Sequence, residues 1–340
     1  MKKMRGIGAL CVALTMSMGT SALLAQNAPK QKEVKRSKAE QVDFDTLTMV
    51  VDSSMSGRPA ASSDISVTWD SNHFFRAPDG STYVPFTVTV DKSKLAAPTA
   101  AIYLAVYPKG TAAAAAPAKG KDKGAGPMPA FEKFDFTSLN ADGKLSRYLQ
   151  VKPGDYDVYI ALKDKGTVEK IDKNYTPHVA LLKKELTVPD YNVAGLSTSS
   201  MLLSSGIQPA PAGQTADNDP YIFGQMQIMP SKDGKYKKTD TLSVVYWVYG
   251  ATGDPAGKPD LTVENSFNQK TADGEKFFNK TQPQALNAQT PYNVAQGIPN
   301  FLEVPLISFA PGDYRLEIKI TDKPSGKVVT QNVNFTVLAS

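Results

Sequence analysis

The residues of this chain most suited to chemistry are Asp52-Ser53-Ser54-Met55-Ser56. They fit the pattern DxSxS, in which one carboxylate and two hydroxyls (Asp52, Ser54 and Ser56) can hold a hard divalent cation. The apolar run Leu47 to Val51 precedes them as a strand would. Gly57-Arg58-Pro59-Ala60 follows, where a metal site of this kind needs the start of a helix. A Ser-rich turn after a strand is the plainer reading.

Other constellations are thinner. His73 and His178 are the only imidazoles, and a triad needs a His beside a nucleophile. His73 lies in Trp69-Asp70-Ser71-Asn72-His73-Phe74-Phe75, among aromatics and amides, and is the better binding candidate. The one cysteine, Cys11, falls near the amino terminus, so the rest of the chain has neither thiol nucleophile nor thiolate metal site. Gly195-Leu196-Ser197-Thr198-Ser199 lacks the second Gly of a nucleophile elbow. Asn140-Ala141-Asp142-Gly143 has Leu149 where a calcium loop needs an acid, and Pro259 stands where a phosphate loop near Gly253 needs a hydroxyl. Asp217-Asn218-Asp219 reads as an exposed acidic loop. No catalytic residue, no enzyme activity and no cofactor are expected.

Aromatic side chains offer a second route to function. Along Thr241 to Gly250, Leu242, Val244, Tyr246 and Val248 share one face, while Val245, Trp247 and Tyr249 share the other. Such a strand is either buried in the middle of a sheet or an exposed aromatic platform, with Trp247 and Tyr249 available to a sugar or a protein. Tyr103 and Tyr107 pose the same question opposite Ile102, Leu104 and Val106.

The elements that must position these residues are strands. Pro153-Gly154-Asp155-Tyr156, followed by an apolar strand, is echoed 158 residues later by Pro311-Gly312-Asp313-Tyr314. In the second copy Leu316, Ile318 and Ile320 alternate with Arg315, Glu317 and Lys319, the period of a strand with one wet face. Asp-Gly pairs at 79–80, 142–143, 233–234 and 273–274 mark turns between β-rich runs. No amphipathic helix is evident after residue 40. The pattern predicts an all-β protein of two tandem immunoglobulin-like or fibronectin type III-like sandwiches. Tyr156 and Tyr314 are read as structural tyrosine corners.

The amino terminus has a basic head (Lys2, Lys3, Arg5), an apolar middle and a small-residue exit at Ala25. These features predict an export signal over residues 1–25. A flexible basic arm is expected over 26–40, a first sandwich over 41–189 with a disordered loop at 110–130, and a second sandwich over 190–340. No stretch beyond the signal is apolar enough for a transmembrane segment. A hydrophobic share of 41% with 21% charged residues excludes wholesale disorder. The net charge of +5 resides in the signal and the arm, because residues 39–340 hold 30 basic against 32 acidic side chains. That balance gives no reason to expect nucleic acid.

Trp69…Asn72-His73-Phe74, Thr82-Tyr83-Val84-Pro85-Phe86-Thr87, Leu186-Thr187-Val188-Pro189-Asp190-Tyr191 and Pro311-Gly312-Asp313-Tyr314-Arg315-Leu316 resemble stretches of uncharacterised secreted bacterial proteins. Those proteins are associated with GWxTD-type and von Willebrand factor A-related proteins; the GWxTD motif itself is absent here. The resemblance implies export and tandem immunoglobulin-like modules, and no activity. The expected role is a non-enzymatic macromolecule-binding or scaffold protein, periplasmic or extracellular, whose partner is a protein or glycan of the cell envelope. Carbohydrate binding through an aromatic platform and a DxSxS-dependent metal module are the alternatives.

Overall fold

The structure, a computed structural model, describes residues 36–58, 65–95, 99–111, 127–164 and 179–339. The expected export signal, the arm up to residue 35, most of the 110–130 loop and His178 lie outside them. The described residues are all-β apart from one long helix, and they divide into two compact units on either side of the Asp190–Tyr191 bond.

The first unit opens with helix α1 (Lys38–Met55). Strands β1 (Val67–Asn72), β2 (Phe75–Arg76), β3 (Thr82–Val90) and β6 (Lys144–Val151) form one antiparallel sheet. In it β3 has β6 on one side and β1 with β2 on the other. Strands β4 (Thr99–Pro108), β5 (Phe131–Ser138), β7 (Gly154–Asp164) and β8 (Val179–Val188) form the second sheet, in the order β5-β4-β7-β8. Between the sheets, Val84, Phe86, Val88, Leu145 and Leu149 meet Ile102, Leu104, Val106, Val158, Ile160 and Leu162. Every second residue of each strand turns inward, as the pleat requires. Pro85 has no N–H to offer, and the pairing along β3 breaks opposite it, between β1 and β2. His73 sits in this break and donates its backbone N–H to the Pro85 carbonyl at 3.0 Å.

Helix α1 corrects the sequence reading, which placed a strand over Leu47–Val51 and a flexible arm up to residue 40. Ser37 Oγ accepts from the Glu40 N–H at 3.3 Å, and Glu40 Oε2 accepts from the Ser37 N–H at 2.8 Å. This capping box satisfies two donors that a helix start would otherwise leave open. The β-branched Val50 and Val51 suggested a strand, but Leu47, Val50 and Val51 fall three and four residues apart and bury one helical face. That face lies on the outer side of the second sheet, against Ala101, Tyr103, Ala105 and Tyr107 of β4, Tyr159 and Ala161 of β7 and Val179 of β8. Alternating Ala with Tyr along β4 leaves shallow rows into which a helix can settle. Asp43 of α1 and Lys163 of β7, 2% and 5% exposed, form an ion pair at this interface. Lys163 also donates to the Asp164 carbonyl at 2.7 Å.

The second unit contains β9 (Ser197–Thr198), β10 (Leu202–Pro209), β11 (Ile222–Phe223), β12 (Met226–Pro230), β13 (Lys235–Lys237), β14 (Thr241–Tyr249) and β15 (Leu261–Thr271). It continues with β16 (Gly274–Lys280), β17 (Gln284–Leu286), β18 (Ile298–Pro305), β19 (Gly312–Asp322) and β20 (Lys327–Leu338). One sheet runs β11-β12-β10-β14-β18, with β9 also beside β14. The other runs β13-β20-β19-β15-β16, with β17 also on β15; only the β13–β20 pairing is parallel. Leu242, Val244, Tyr246 and Val248 from the first sheet meet Leu261, Val263, Phe267, Leu316, Ile318, Ile320 and Phe335 from the second.

The two Pro-Gly corners share their hydrogen bonds. Tyr156 Oη donates to the Lys152 carbonyl at 2.8 Å, and Tyr314 Oη donates to the Ala310 carbonyl at 2.9 Å. Gly154 pairs with Val188 and Asp155 with Thr187, as Gly312 pairs with Val337 and Asp313 with Thr336. In both pairs the Thr hydroxyl donates to the Asp carboxylate at 2.6 Å. The φ values of Gly154 and Gly312, +150° and +144°, lie in a region that a side chain would strain. Each unit is thus a β-sandwich of immunoglobulin-like kind, closed at one end by a tyrosine corner.

Candidate functional site

Tyr249 is 2% exposed and packs its ring against Tyr191 at 4.9 Å. Trp247 is half-buried, with its ring 5.1 Å from Phe223. Its backbone is pinned by Ser199, whose Oγ accepts the Trp247 N–H at 2.9 Å. Val245, on the same face, is buried. Strand β14 is therefore a central strand covered on both sides, and Trp247 with Tyr249 forms no open platform. Their double-sided apolar pattern came from packing.

The DxSxS residues occupy the last turn of α1 and the residue that caps it. At about 100° per residue, Ser54 points roughly 200° away from Asp52 around the helix. Ser56 spends its hydroxyl on the Asp52 backbone carbonyl, at 2.7 Å. The three side chains do not converge on one ion. Asp52 instead lies over the tyrosines of β4, where its negative charge adds to burial in raising the Tyr107 phenol. Desolvation raises the Asp52 carboxyl, and the Arg58 guanidinium works in the opposite direction. Tyr103 Oη donates to Glu132 at 3.3 Å beneath the same helix, and burial raises its pKa as well. Among the described residues, no three His, Cys, Asp or Glu side chains gather around one metal position.

His73 is half-buried, with its ring 6.5 Å from Phe75. Desolvation pushes its pKa down to about 4, so the ring is neutral at physiological pH. Trp69 beside it stacks on Phe86 at 4.5 Å and donates its indole N–H to Asn72 at 3.1 Å. These contacts make the segment a packed corner of the first unit. The acids of the other loops serve their own turns: Asp219 accepts from the Tyr221 N–H and from Gln227, and Asp254 accepts from the Ala256 and Lys258 N–H groups.

The most developed open surface is the outer face of the second unit's β16-β15-β19-β20 sheet. Cross-strand register places Phe277, Asn268, Arg315 and Asn334 in one row. Lys280, Ser266, Glu317 and Asn332 form the next, and Glu264, Lys319 and Thr330 a third. At about 4.8 Å between strands, a four-strand row spans about 14 Å. Arg315 lies across it, its guanidinium donating to Glu275 at 2.8 Å, to Glu317 at 2.9 Å and to Asn332 Oδ1. Those carboxylates raise the Arg315 pKa further, Glu317 foremost and then Glu275. Lys319 pairs with Glu264 at 3.3 Å.

A bulge in β16 decides how the Phe277-Phe278 pair is used. The register shifts between Phe267 and Asn268, turning Phe278 into the core against Phe309 (4.7 Å) and Tyr314 (5.5 Å). Phe277 is left on the wet face, 64% exposed. Its row was partly readable from the Arg315, Glu317 and Lys319 alternation. Phe277 went unremarked, although two adjacent aromatics in a strand must point to opposite faces.

No family model and no curated relative matches the chain. Among solved structures it is similar to trypsin-activated alpha-2-macroglobulin from Escherichia coli, at 12% identity over 81% of this chain and 17% of that one, with a TM-score of 0.22. It is also similar to a DUF3823 family protein from Bacteroides ovatus, at 9% identity over 69% of this chain and 88% of that one, with a TM-score of 0.20. The chain spans less than a fifth of the macroglobulin's length.

Proposed function

We propose that this chain is an exported, non-enzymatic protein of two sandwich domains, 41–189 and 190–340, whose second domain binds a macromolecule of the cell envelope. The observation that carries the reading is the open face on which Arg315 is braced by Glu275, Glu317 and Asn332. Corresponding strands of the first unit spend their outer face on the protein's own helix, whereas on this face Glu275, Glu317 and Asn332 hold Arg315 in place. Pre-fixed side chains lose little freedom on binding. The basic head and apolar stretch of residues 1–25 support export, to the periplasm or beyond the cell. Among the described residues, no helix is long and apolar enough to cross a membrane.

Photo-crosslinking from position 277 in the full chain, in native envelope, tests this. We expect a discrete adduct from 277 and none from an otherwise identical probe at exposed Met49 on α1. Equal labelling from both positions, or none from 277, would remove the basis for the reading.

A further inference from the structure

We propose that the outer face formed by β16, β15, β19 and β20 is a binding site for a neutral polysaccharide chain; this rests on the macromolecule-binding reading of that face.

The argument starts from charge. The face carries acids at Glu264, Glu275, Asp313 and Glu317 and bases at Lys270, Lys280, Arg315 and Lys319. Arg315 is compensated by Glu275 and Glu317, and Lys319 by Glu264. A face whose four acids balance its four bases offers little net field to a polyanion or a polycation. The ligand it suits is uncharged.

Apolar content narrows the class further. Protein interfaces are built around a desolvated core of several aromatic and aliphatic groups. Here Phe277 is the lone aromatic of the first three rows; it stands at the β16 end of its row beside Asn268, with Arg315 on the next strand and Asn334 at the far end. Val328 and Leu338, the other exposed apolar residues on the sheet, lie at opposite ends of β20, paired with Thr321 and Lys237. One flat ring at the end of a row of polar side chains matches a sugar chain, whose C–H face stacks on an aromatic while its hydroxyls both donate and accept.

Donor and acceptor directions agree with this. Asn332 uses Oδ1 to accept from Arg315, leaving its Nδ2–H groups as donors. Glu275 and Glu317 each receive Arg315 on Oε2, and a carboxylate retains further lone pairs for hydroxyl donors. A row of about 14 Å also favours a chain of several sugar units lying across the strands over a single monosaccharide.

Affinity electrophoresis of the full chain in gels containing laminarin, xylan or dextran tests the proposal, with heparin as the charged control. We expect retardation by at least one neutral polysaccharide, unchanged by added salt. Phe277→Ala should weaken it about tenfold, as loss of one stacking contact would. Asn334→Ala should also weaken it, while both variants keep the wild-type circular dichroism spectrum and unfolding midpoint. Absence of retardation by all three neutral polysaccharides would overturn the proposal, as would retardation only by heparin or retardation that survives Phe277→Ala. A polypeptide adduct from position 277 without retardation would retire the glycan and keep the face as a binding surface. Neither adduct nor retardation would retire both.

Discussion

Strands β7 and β19 start alike and end in different surroundings. Both begin at a Gly of positive φ, tie a Tyr hydroxyl to a carbonyl four residues upstream and hold an Asp against a Thr on the next strand. Their inward residues, Val158, Ile160 and Leu162 against Leu316, Ile318 and Ile320, are interchangeable core. Their outward residues are not. Tyr159, Ala161 and Lys163 lie beneath α1, whereas Glu317, Lys319 and Thr321 face water. The corner and the inner face define the sandwich, and the outer face is where each unit acquires its own role. In the first unit that face is made apolar, with Ala rows for a helix and one ion pair that fixes the helix in register. In the second it is kept polar and cross-braced.

The largest expected effect comes from the ion pair. Asp43→Ala would leave Lys163 buried without its carboxylate and should cost the first unit about 3–5 kcal/mol. The two tryptophans fall one in each unit, so single-Trp variants retaining Trp69 or Trp247 can follow each unit's urea unfolding separately. The Trp69 transition should shift and the Trp247 transition should not. Replacing both partners together, Asp43→Leu with Lys163→Met, should restore most of the loss. A shift of both transitions in Asp43→Ala would break the comparison.

A smaller effect should follow pH. His73 titrates at about 4 in the folded chain and near 6.5 when unfolded, so between these values the unfolded state binds more protons. Stability of the first unit should therefore fall as pH drops through 6.5 toward 4, by on the order of 2 kcal/mol. His73→Gln should flatten that slope in the Trp69 transition; an unchanged slope would refute the packed-corner reading.

Much of this architecture was legible in the sequence, for physical reasons that differ by region. The second unit declares itself because Arg315, Glu317 and Lys319 alternate cleanly with Leu316, Ile318 and Ile320, as one wet face demands. The paired Pro-Gly-Asp-Tyr segments could be read because a corner needs particular residues at fixed offsets. Helix α1 was missed because the covered face beneath it erases alternation in β4 and β7. Its own Thr46-Leu47-Thr48-Met49-Val50-Val51 is also rich in β-branched residues, which read as strand. The signal that would have found it is local: Ser37 and Glu40 at capping-box spacing. The DxSxS match misled because three residues at alternate positions converge only when the chain is extended or looped. On a helix they scatter.

The corners provide a test of likeness. Tyr156→Phe and Tyr314→Phe each remove one hydroxyl donor and should each cost about 1 kcal/mol, in the Trp69 and Trp247 transitions respectively. Costs that differ several-fold would mean that the two corners are alike only in outline. Smallest of all, Phe277→Ala should change the stability of the second unit by less than about 0.5 kcal/mol, because its ring packs on nothing that folding requires. A larger loss would assign Phe277 to structure and detach it from binding.

The claim that one outer face is closed and the other open is tested most directly by hydroxyl-radical footprinting of the intact chain. Phe277, at 64% exposed, should oxidise readily, while Tyr103, Tyr107 and Tyr159, at 2–4%, should stay protected under α1. Comparable oxidation of those tyrosines and Phe277 would contradict the account.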